Sequence, residues 1–502
     1  MQIQVVQGAI QEIPADAIIL NLFEGAEPGG ATHAVDALLG GAVRELVAAG
    51  DFTGKVGQTA VLYPRGAIPA RRVILVGLGA QAGFTLDSVR RAAATAIARA
   101  RELGVRRAAS ILHGAGAGGL AVEAAAEAIT EGSLLALYTY HGLRTAAQPE
   151  ALPERLDLVI SDAKDDRAAQ GVRAGEAIAA GVRLARDLVN LPPNLCTPVS
   201  LAQAAVEMAQ TVGLKVEVLE KGQIEALRMG ALLGVAQGSS TPPRFIILEH
   251  RPEGAAGAPV VLVGKGVTFD TGGYSLKSFE NMGTMKADMA GGAAVIGAMS
   301  AIARLNLPLP VVGLVPAADN MVSGHAYRPQ EVLTASNGVT IEIISTDAEG
   351  RLLLADALAF AARYQPAAVV DIATLTGSCV IALGEHVAAG LFSTDDALCD
   401  ALLRAAGETA EKLWPLPLFP EYDKTIESTV ADIKNSGGRL GGVGTSAAFL
   451  KRFTSYPWAH IDMAGMNLDA PDNPYVPGKG ATGYGVRLLT AFVRGWPPAG
   501  AV

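Results

Sequence analysis

At 502 residues the chain is longer than one ordinary hydrophobic core supports, so two domains are the natural expectation. Half of its residues are hydrophobic, but much of that share is Ala and aromatics are only 5%, which suits closely packed α/β layers. The formal net charge of −9 disfavours a general nucleic-acid or membrane-surface role, because clustered Lys and Arg drive such binding.

The opening MQIQVVQGAIQEIPADA has no basic stretch followed by a sustained apolar run, so no signal peptide is expected. QIQVV (2–6), DAIILNLF (16–23), TAVLYP (59–64), RRVILVG (71–77) and AASILHG (108–114) read as strands, with helices near 85–103 and 119–139. This alternation predicts a small α/β domain over 1–160. Gly77-x-Gly79-x-x-Ala82 follows a strand and superficially meets a dinucleotide fingerprint. The next segment is helical and contains Glu102, so no acid ends a following strand to bind a ribose, and no such cofactor is expected. A Pro-containing, charge-mixed stretch from Thr145 to Arg155 marks a boundary. A long helix near 165–190 follows, and residues 161–190 are expected to link to a second domain over 191–502.

In that second part APVVLVG (258–264) reads as a buried parallel strand opening into a loop that carries Lys265 and Asp270. Small residues after Asp288 (AGGAAVIGAMSAIARL) let a helix start close to the sheet. Its apolar run 289–303 stops at Arg304, short of the ~20 residues a membrane span needs. VTIEIIS (339–345) reads as a strand and RLLLADALAFAARY (351–364) as a helix, with Asp347 and Glu349 in the turn between them. The fold class is thus α/β in two domains. The amino-terminal one is small, and the larger has a mixed, largely parallel central sheet flanked by helices. Cys196, Cys379 and Cys399 are widely separated and odd in number, which suits reduced thiols and a cytoplasmic setting. His460 is read as structural and Thr445 as a helix cap.

Asp270, Asp288, Asp347 and Glu349, with Lys265, Lys277 and Arg351, fall in two short stretches at strand-to-helix junctions. If the four acids converge, repulsion would load protons onto some of them unless cations are present. Two divalent ions would balance them. An oxygen-rich set without His or Cys suits hard or borderline ions, and a catalytic site more than a structural zinc site. Simpler readings exist for each piece. Thr346-x-x-Glu349 matches a capping box, Gly264-Lys265-Gly266 hints at a phosphate loop without its full order, and Lys277 and Lys286 could be solvated.

VGKGVTFDTGGYSLK (263–277), MKADMAGGAA (285–294) and STDAEGRL (345–352) resemble the signature segments of the leucine aminopeptidase family, the dinuclear cytosol aminopeptidases. ARDLVNLPPN (185–194), GALLGVAQGSSTPPRFIILEH (230–250), DIATLTGSCVIALG (371–384), WAHIDMAGM (458–466) and GKGATG (478–483) extend the resemblance from about residue 180 onward. It implies one metal on Asp270, Asp347 and Glu349 and a second on Lys265, Asp270, Asp288 and Glu349. Lys277 and Arg351 would be the catalytic cations, and Arg351 would hold bicarbonate. The ions would be manganese or zinc, with cobalt or magnesium as alternatives. A side-chain pocket of Met285, Thr374, Gly377, Ala464 and Asn467 would favour Leu-like residues at the amino end of peptide substrates. Asn467 departs from the Met of some members, and Ser345 from the usual Asn. The resemblance further implies a homohexamer. Rival readings are a two-metal phosphoesterase and a non-enzymatic DNA-binding or scaffold role in the first domain.

Overall fold

The structure, a computed structural model, describes residues 1–145, 152–161, 166–255 and 257–497. It comprises two compact units, Met1–Ala179 with Ala470–Gly478, and Ala180–Asp469 with Lys479–Val502. The division falls inside the helix Arg167–Asn190, within the stretch expected to link the domains. The segment Ala470–Gly478, expected in the second domain, groups with the first unit. Most of the expected boundary at 145–155, and residues 162–165 of the linking stretch, lie outside the described residues.

In the first unit β1 (Gln2–Gln7), β2 (Ala17–Phe23), β3 (Thr59–Leu62), β4 (Val73–Gly79), β5 (Arg107–Ile111) and β6 (Arg155–Ile160) form one sheet of order β1-β6-β5-β2-β4-β3. Its pairs are parallel except β3 against β4. Strand alternation sends Ile19, Ile74 and Val76 toward Val89, Ala93 and Ile97 of the helix Leu86–Glu102. Ile18, Leu20, Val73 and Leu75 instead join Val35, Val43 and Phe52 in a second cluster. Gly77 of the supposed dinucleotide pattern has a packing role, since a Cβ there would lie 2.0 Å from the Lys55 carbonyl oxygen.

The second unit contains β7 (Lys215–Leu219), β8 (Arg244–His250), β9 (Val260–Gly264), β10 (Gly266–Asp270) and β11 (Val311–Asn320). It continues with β12 (Val332–Thr334), β13 (Thr340–Glu342), β14 (Ala368–Ala373), β15 (Ala389–Ser393), β16 (Leu413–Pro415), β17 (Ile433–Lys434) and β18 (Trp458–Asp462). The main sheet has the order β16-β15-β18-β14-β9-β11-β8-β7, with β10 also paired to β11, and β12-β13-β17 form a small separate sheet. The centre, β9 between β11 and β14, is parallel and fully buried, which explains its unbroken apolar run. Among the described residues no helix is long and apolar enough to cross a membrane.

Two local expectations are corrected. Asp270 ends a strand, not an irregular loop: β10 pairs with β11 across a register shift and sets Asp270 opposite Asn320. β13 covers only Thr340–Glu342, because beyond it the Asn435 side chain takes over the backbone pairing. The amides of Ile344 and Ser345 donate to Asn435 Oδ1 at 2.7 and 3.2 Å, and Asn435 Nδ2 donates to the Ser345 carbonyl at 2.6 Å.

The small residues after Asp288 do what their size suggests. The Gly292 amide donates to the Lys265 carbonyl at 2.7 Å, and a Cβ on Gly291 would lie 2.2 Å from the Ile372 carbonyl oxygen. The helix Ala290–Arg304 therefore begins against the ends of β9 and β14. We expect Gly291→Ala to destabilise this unit by about 1–3 kcal/mol through overpacking, seen as a lower urea midpoint at unchanged m-value.

Candidate metal centre

Each candidate ligand sits where a regular element ends. Lys265 separates β9 from β10, Asp270 closes β10, Asp288 precedes the helix Ala290–Arg304, and Asp347 and Glu349 precede the helix Gly350–Ala361. Such edges, at the carboxyl ends of strands, are where open α/β sheets bind ligands.

The chain folds these positions together. Carboxylate oxygens of Asp270, Asp347 and Glu349 lie within 4.8 Å of one another. Lys265 Nζ stands 2.8 Å from Asp288 and 2.9 Å from Glu349, joining Asp288 to that group. Lys277 Nζ stands 2.7 Å from Asp270 and 2.6 Å from Asp347. Thr374 completes the floor: its carbonyl accepts from Lys265 Nζ at 3.0 Å and its hydroxyl donates to Asp288 Oδ1 at 2.7 Å. Lys265, Asp270, Asp288 and Glu349 are buried, and Lys277, Thr374 and Asp347 are more open.

The electrostatics bear out the crowding of charge. Burial, then Glu349 and Asp288, push the Asp270 carboxyl up to about 8. Burial pushes Asp288 up to about 6 and also raises Asp347. Glu349 is held below its usual range, because Lys265 and Lys277 outweigh the burial that would raise it. Burial would lower both lysines, but the surrounding carboxylates prevail and raise them. Four carboxylates thus face two ammoniums, Asp288 Oδ2 is buried without a hydrogen-bond partner, and the donors are oxygens. The set fits divalent cations, which would supply the missing positive charge.

The capping-box reading of Thr346 and Glu349 fails. Glu349 is the N-cap but makes no side-chain cap, and the Thr346 hydroxyl donates to the Gly272 carbonyl at 2.6 Å while accepting from the Ser275 amide. Thr346 thereby ties the turn carrying Asp347 and Glu349 to the loop after Asp270. Asn320, which carries no motif of its own, makes the same tie: its Nδ2 donates to Asp270 Oδ1 at 2.7 Å and to the Thr346 carbonyl at 2.9 Å. Only the apolar β11 pattern running into a buried polar residue could have signalled it. Ser345 Oγ accepts from the Asp347 amide at 3.2 Å.

A cavity of about 810 Å³ opens over the cluster. It is lined by Lys265, Asp270, Lys277, Asp288, Asp347 and Glu349, and also by Met285, Thr374, Gly377, Ala464 and Asn467. Arg351 is not among its lining residues. It is buried, its Nη1 donates to the Asn435 carbonyl at 2.7 Å, its Nε has no partner, and burial lowers its pKa to about 10. His460 is buried away from the cavity on Asp371 at 2.5 Å, in a structural pair. Thr445 lies inside the helix Gly442–Lys451, whose N-cap is Gly441, so it is no cap.

Buried oxygen donors at the carboxyl edge of a mixed α/β sheet, open to a cavity, belong to the class of metal-dependent hydrolases. The profile described as "Cytosol aminopeptidase family, catalytic domain" matches residues 183–490, and that of the family's N-terminal domain matches residues 19–147. The chain belongs to the cytosol aminopeptidase family. It is 45% identical to a probable cytosol aminopeptidase of Roseiflexus castenholzii, over 99% of this chain and 100% of the relative. A probable cytosol aminopeptidase of Syntrophotalea carbinolica is also 45% identical, over 97% and 98%. Among solved structures, a tomato leucine aminopeptidase bearing a lysine-to-glutamate substitution superposes with a TM-score of 0.87 at 34% identity, covering 98% of this chain and 96% of that one. The bottromycin maturation enzyme BotP in complex with Mn gives 0.84 at 35% identity, covering 96% and 99%. The protein is accordingly a hydrolase, a metal-dependent aminopeptidase acting on peptides.

Because Asn320 clamps Asp270 without facing substrate, we expect Asn320→Ala to weaken manganese affinity about 10–100-fold, the range for outer partners of metal ligands. Calorimetric titration, with circular dichroism to verify the fold, reads this.

Proposed function

We propose that this chain removes amino-terminal residues, Leu-like ones preferred, from peptides by hydrolysis at two divalent ions. The convergence of Asp270, Asp347 and Glu349, extended to Asp288 through Lys265, carries this reading. Asp270, Asp347 and Glu349 would hold one ion, and Lys265, Asp270, Asp288 and Glu349 the other. Bound there, the ions supply Lewis-acid activation of water and the scissile carbonyl, and an anchor for a free α-amine. An internal peptide bond offers no such amine, so the enzyme acts at chain ends. Similarity to the manganese complex of BotP favours manganese, with zinc next and cobalt or magnesium as alternatives.

The protein's own groups divide the remaining work. Lys265 would hold the second ion as a neutral amine, its Nζ proton released to solvent when the ion is bound beside Asp288 and Glu349. Lys277 keeps its proton and, from the cavity wall, donates a hydrogen bond to the oxyanion that develops on the carbonyl. By resemblance to the leucine aminopeptidases, Arg351 would hold bicarbonate as the proton acceptor, which its planar guanidinium suits once the side chain turns from Asn435 toward the cavity it does not line. Met285, Thr374, Gly377 and Ala464 offer a largely apolar wall to an aliphatic side chain. Resemblance to the leucine aminopeptidases supports a homohexamer, and reduced, widely spaced cysteines support a cytoplasmic location.

Chelator-stripped protein should not hydrolyse leucyl p-nitroanilide, and manganese should restore turnover. Lys265→Ala and Glu349→Ala should each lower kcat/KM by more than about a hundredfold, beyond the effect of outer partners. Normal turnover in either variant, or faster cleavage of a phosphodiester, would refute the assignment.

A further inference from the structure

We propose that the segment Ala470–Gly478 is a tether through which the first unit positions one wall of the cavity, and that Tyr475 and Asp87 are its positioning residues. This rests on the aminopeptidase reading above. The chain leaves the second unit after Asp469 and rejoins it at Lys479, and the residues between belong to the first unit. Asn467, Leu468 and Asp469, directly before the departure, line the cavity. Within the first unit the tip of the excursion is docked firmly. Tyr475 is buried, and its hydroxyl donates to Asp87 Oδ1 in the first turn of the helix Leu86–Glu102. Arg91, four residues on and on the same helix face, donates from Nη2 to the Asp472 carbonyl at 2.7 Å. Pro471, Pro474 and Pro477 fix their own φ angles, so the segment has little slack to absorb movement at either end.

In the second unit the two ends of the excursion are clasped together. The Asp469 amide donates to the Gly480 carbonyl at 2.8 Å, the Gly480 amide donates back to Asp469 Oδ1 at 2.7 Å, and Leu468 and Ala481 form an antiparallel bridge. The Thr482 amide donates to the Asn467 carbonyl at 3.0 Å and its hydroxyl to the Met466 carbonyl at 2.7 Å. Asp469 itself has a φ of 56°, a left-handed conformation that a residue other than glycine keeps where its surroundings impose it. The returning arm is anchored on the helix Arg167–Asn190: Arg186 Nε donates to the Thr482 carbonyl at 2.9 Å, and Asn190 Oδ1 accepts from the Ala481 amide at 3.0 Å. The outgoing arm, which carries the wall, is held less closely, with Asn467 Nδ2 reaching the Ala287 carbonyl at 3.4 Å. Its position is therefore set by the clasp and by where the tether is docked. Releasing Tyr475 from Asp87 loosens Asn467–Asp469, against which a Leu-like side chain would rest, while the acids that hold the ions stay fixed by other segments.

The test compares manganese-loaded full-length protein with its Tyr475→Phe, Asp87→Ala and Asp87→Asn variants on leucyl and alanyl p-nitroanilides. Tyr475→Phe keeps the buried ring, and Asp87→Asn keeps an oxygen that can accept the hydroxyl. Tyr475→Phe and Asp87→Ala should each raise KM for the leucyl substrate about three- to tenfold, as for partial loss of a hydrogen bond to a charged group, with kcat held within about twofold. KM for the alanyl substrate, whose shorter side chain rests less on that wall, should move by less than about twofold. Asp87→Asn should restore most of the leucyl KM, and manganese affinity should be the same in all four proteins. Amide hydrogen exchange at Leu468 and Asp469 should quicken in Tyr475→Phe and Asp87→Ala. A leucyl KM unmoved in both of these variants, or an equal rise for the two substrates, overturns this inference alone. Cleavage of neither substrate by the unsubstituted protein overturns the aminopeptidase reading and this inference with it.

Discussion

The constraint on which the second unit depends is electrostatic: four carboxylates are held close together, three of them buried, with only two lysine ammoniums to offset them. Such an arrangement opposes folding unless the surrounding structure is rigid enough to impose it and cations come to neutralise it. Rigidity is visible in the backbone. The helix Ala290–Arg304 starts in contact with the strand ends because nothing larger than glycine stands at Gly291. Clamps at Asn320, Thr346 and Asn435 fasten the turn of Asp347 and Glu349 to neighbouring segments.

The cavity is walled by several segments of the chain. Its acidic end is fixed by junctions of β9, β10 and the two following helices. The opposite wall comes from the loop after β14 and the turn after β18, where Asp462 accepts the amides of Leu375 and Ala464 and the hydroxyl of Thr376. One carboxylate therefore registers these two segments against each other.

Much of this was legible in the sequence where a signal is local. The strands of the first unit, the helix after Asp288 and the acids at strand-to-helix junctions all carry their own periodicity or charge. The pocket residues Met285, Thr374, Gly377, Ala464 and Asn467 came from family resemblance, and no composition or spacing would have supplied them. What stayed hidden is non-local. Asn320 meets Asp270 across fifty positions, and Asn435 meets Ile344 across ninety-one, so neither leaves a pattern in its own neighbourhood. Thr346 shows the converse: its four-residue motif fits a helix cap, yet its hydroxyl is taken by a tertiary contact to Gly272. β10 was missed because a five-residue strand directly after a glycine-ended strand looks like loop.

The most direct test of the account is the metal content of the purified protein after loading with manganese and removal of free ion. The charge balance argued here predicts two ions per chain, with the second lost when Asp288 is replaced by Asn. A chain that retains none, or whose content is indifferent to Asp288, would contradict it.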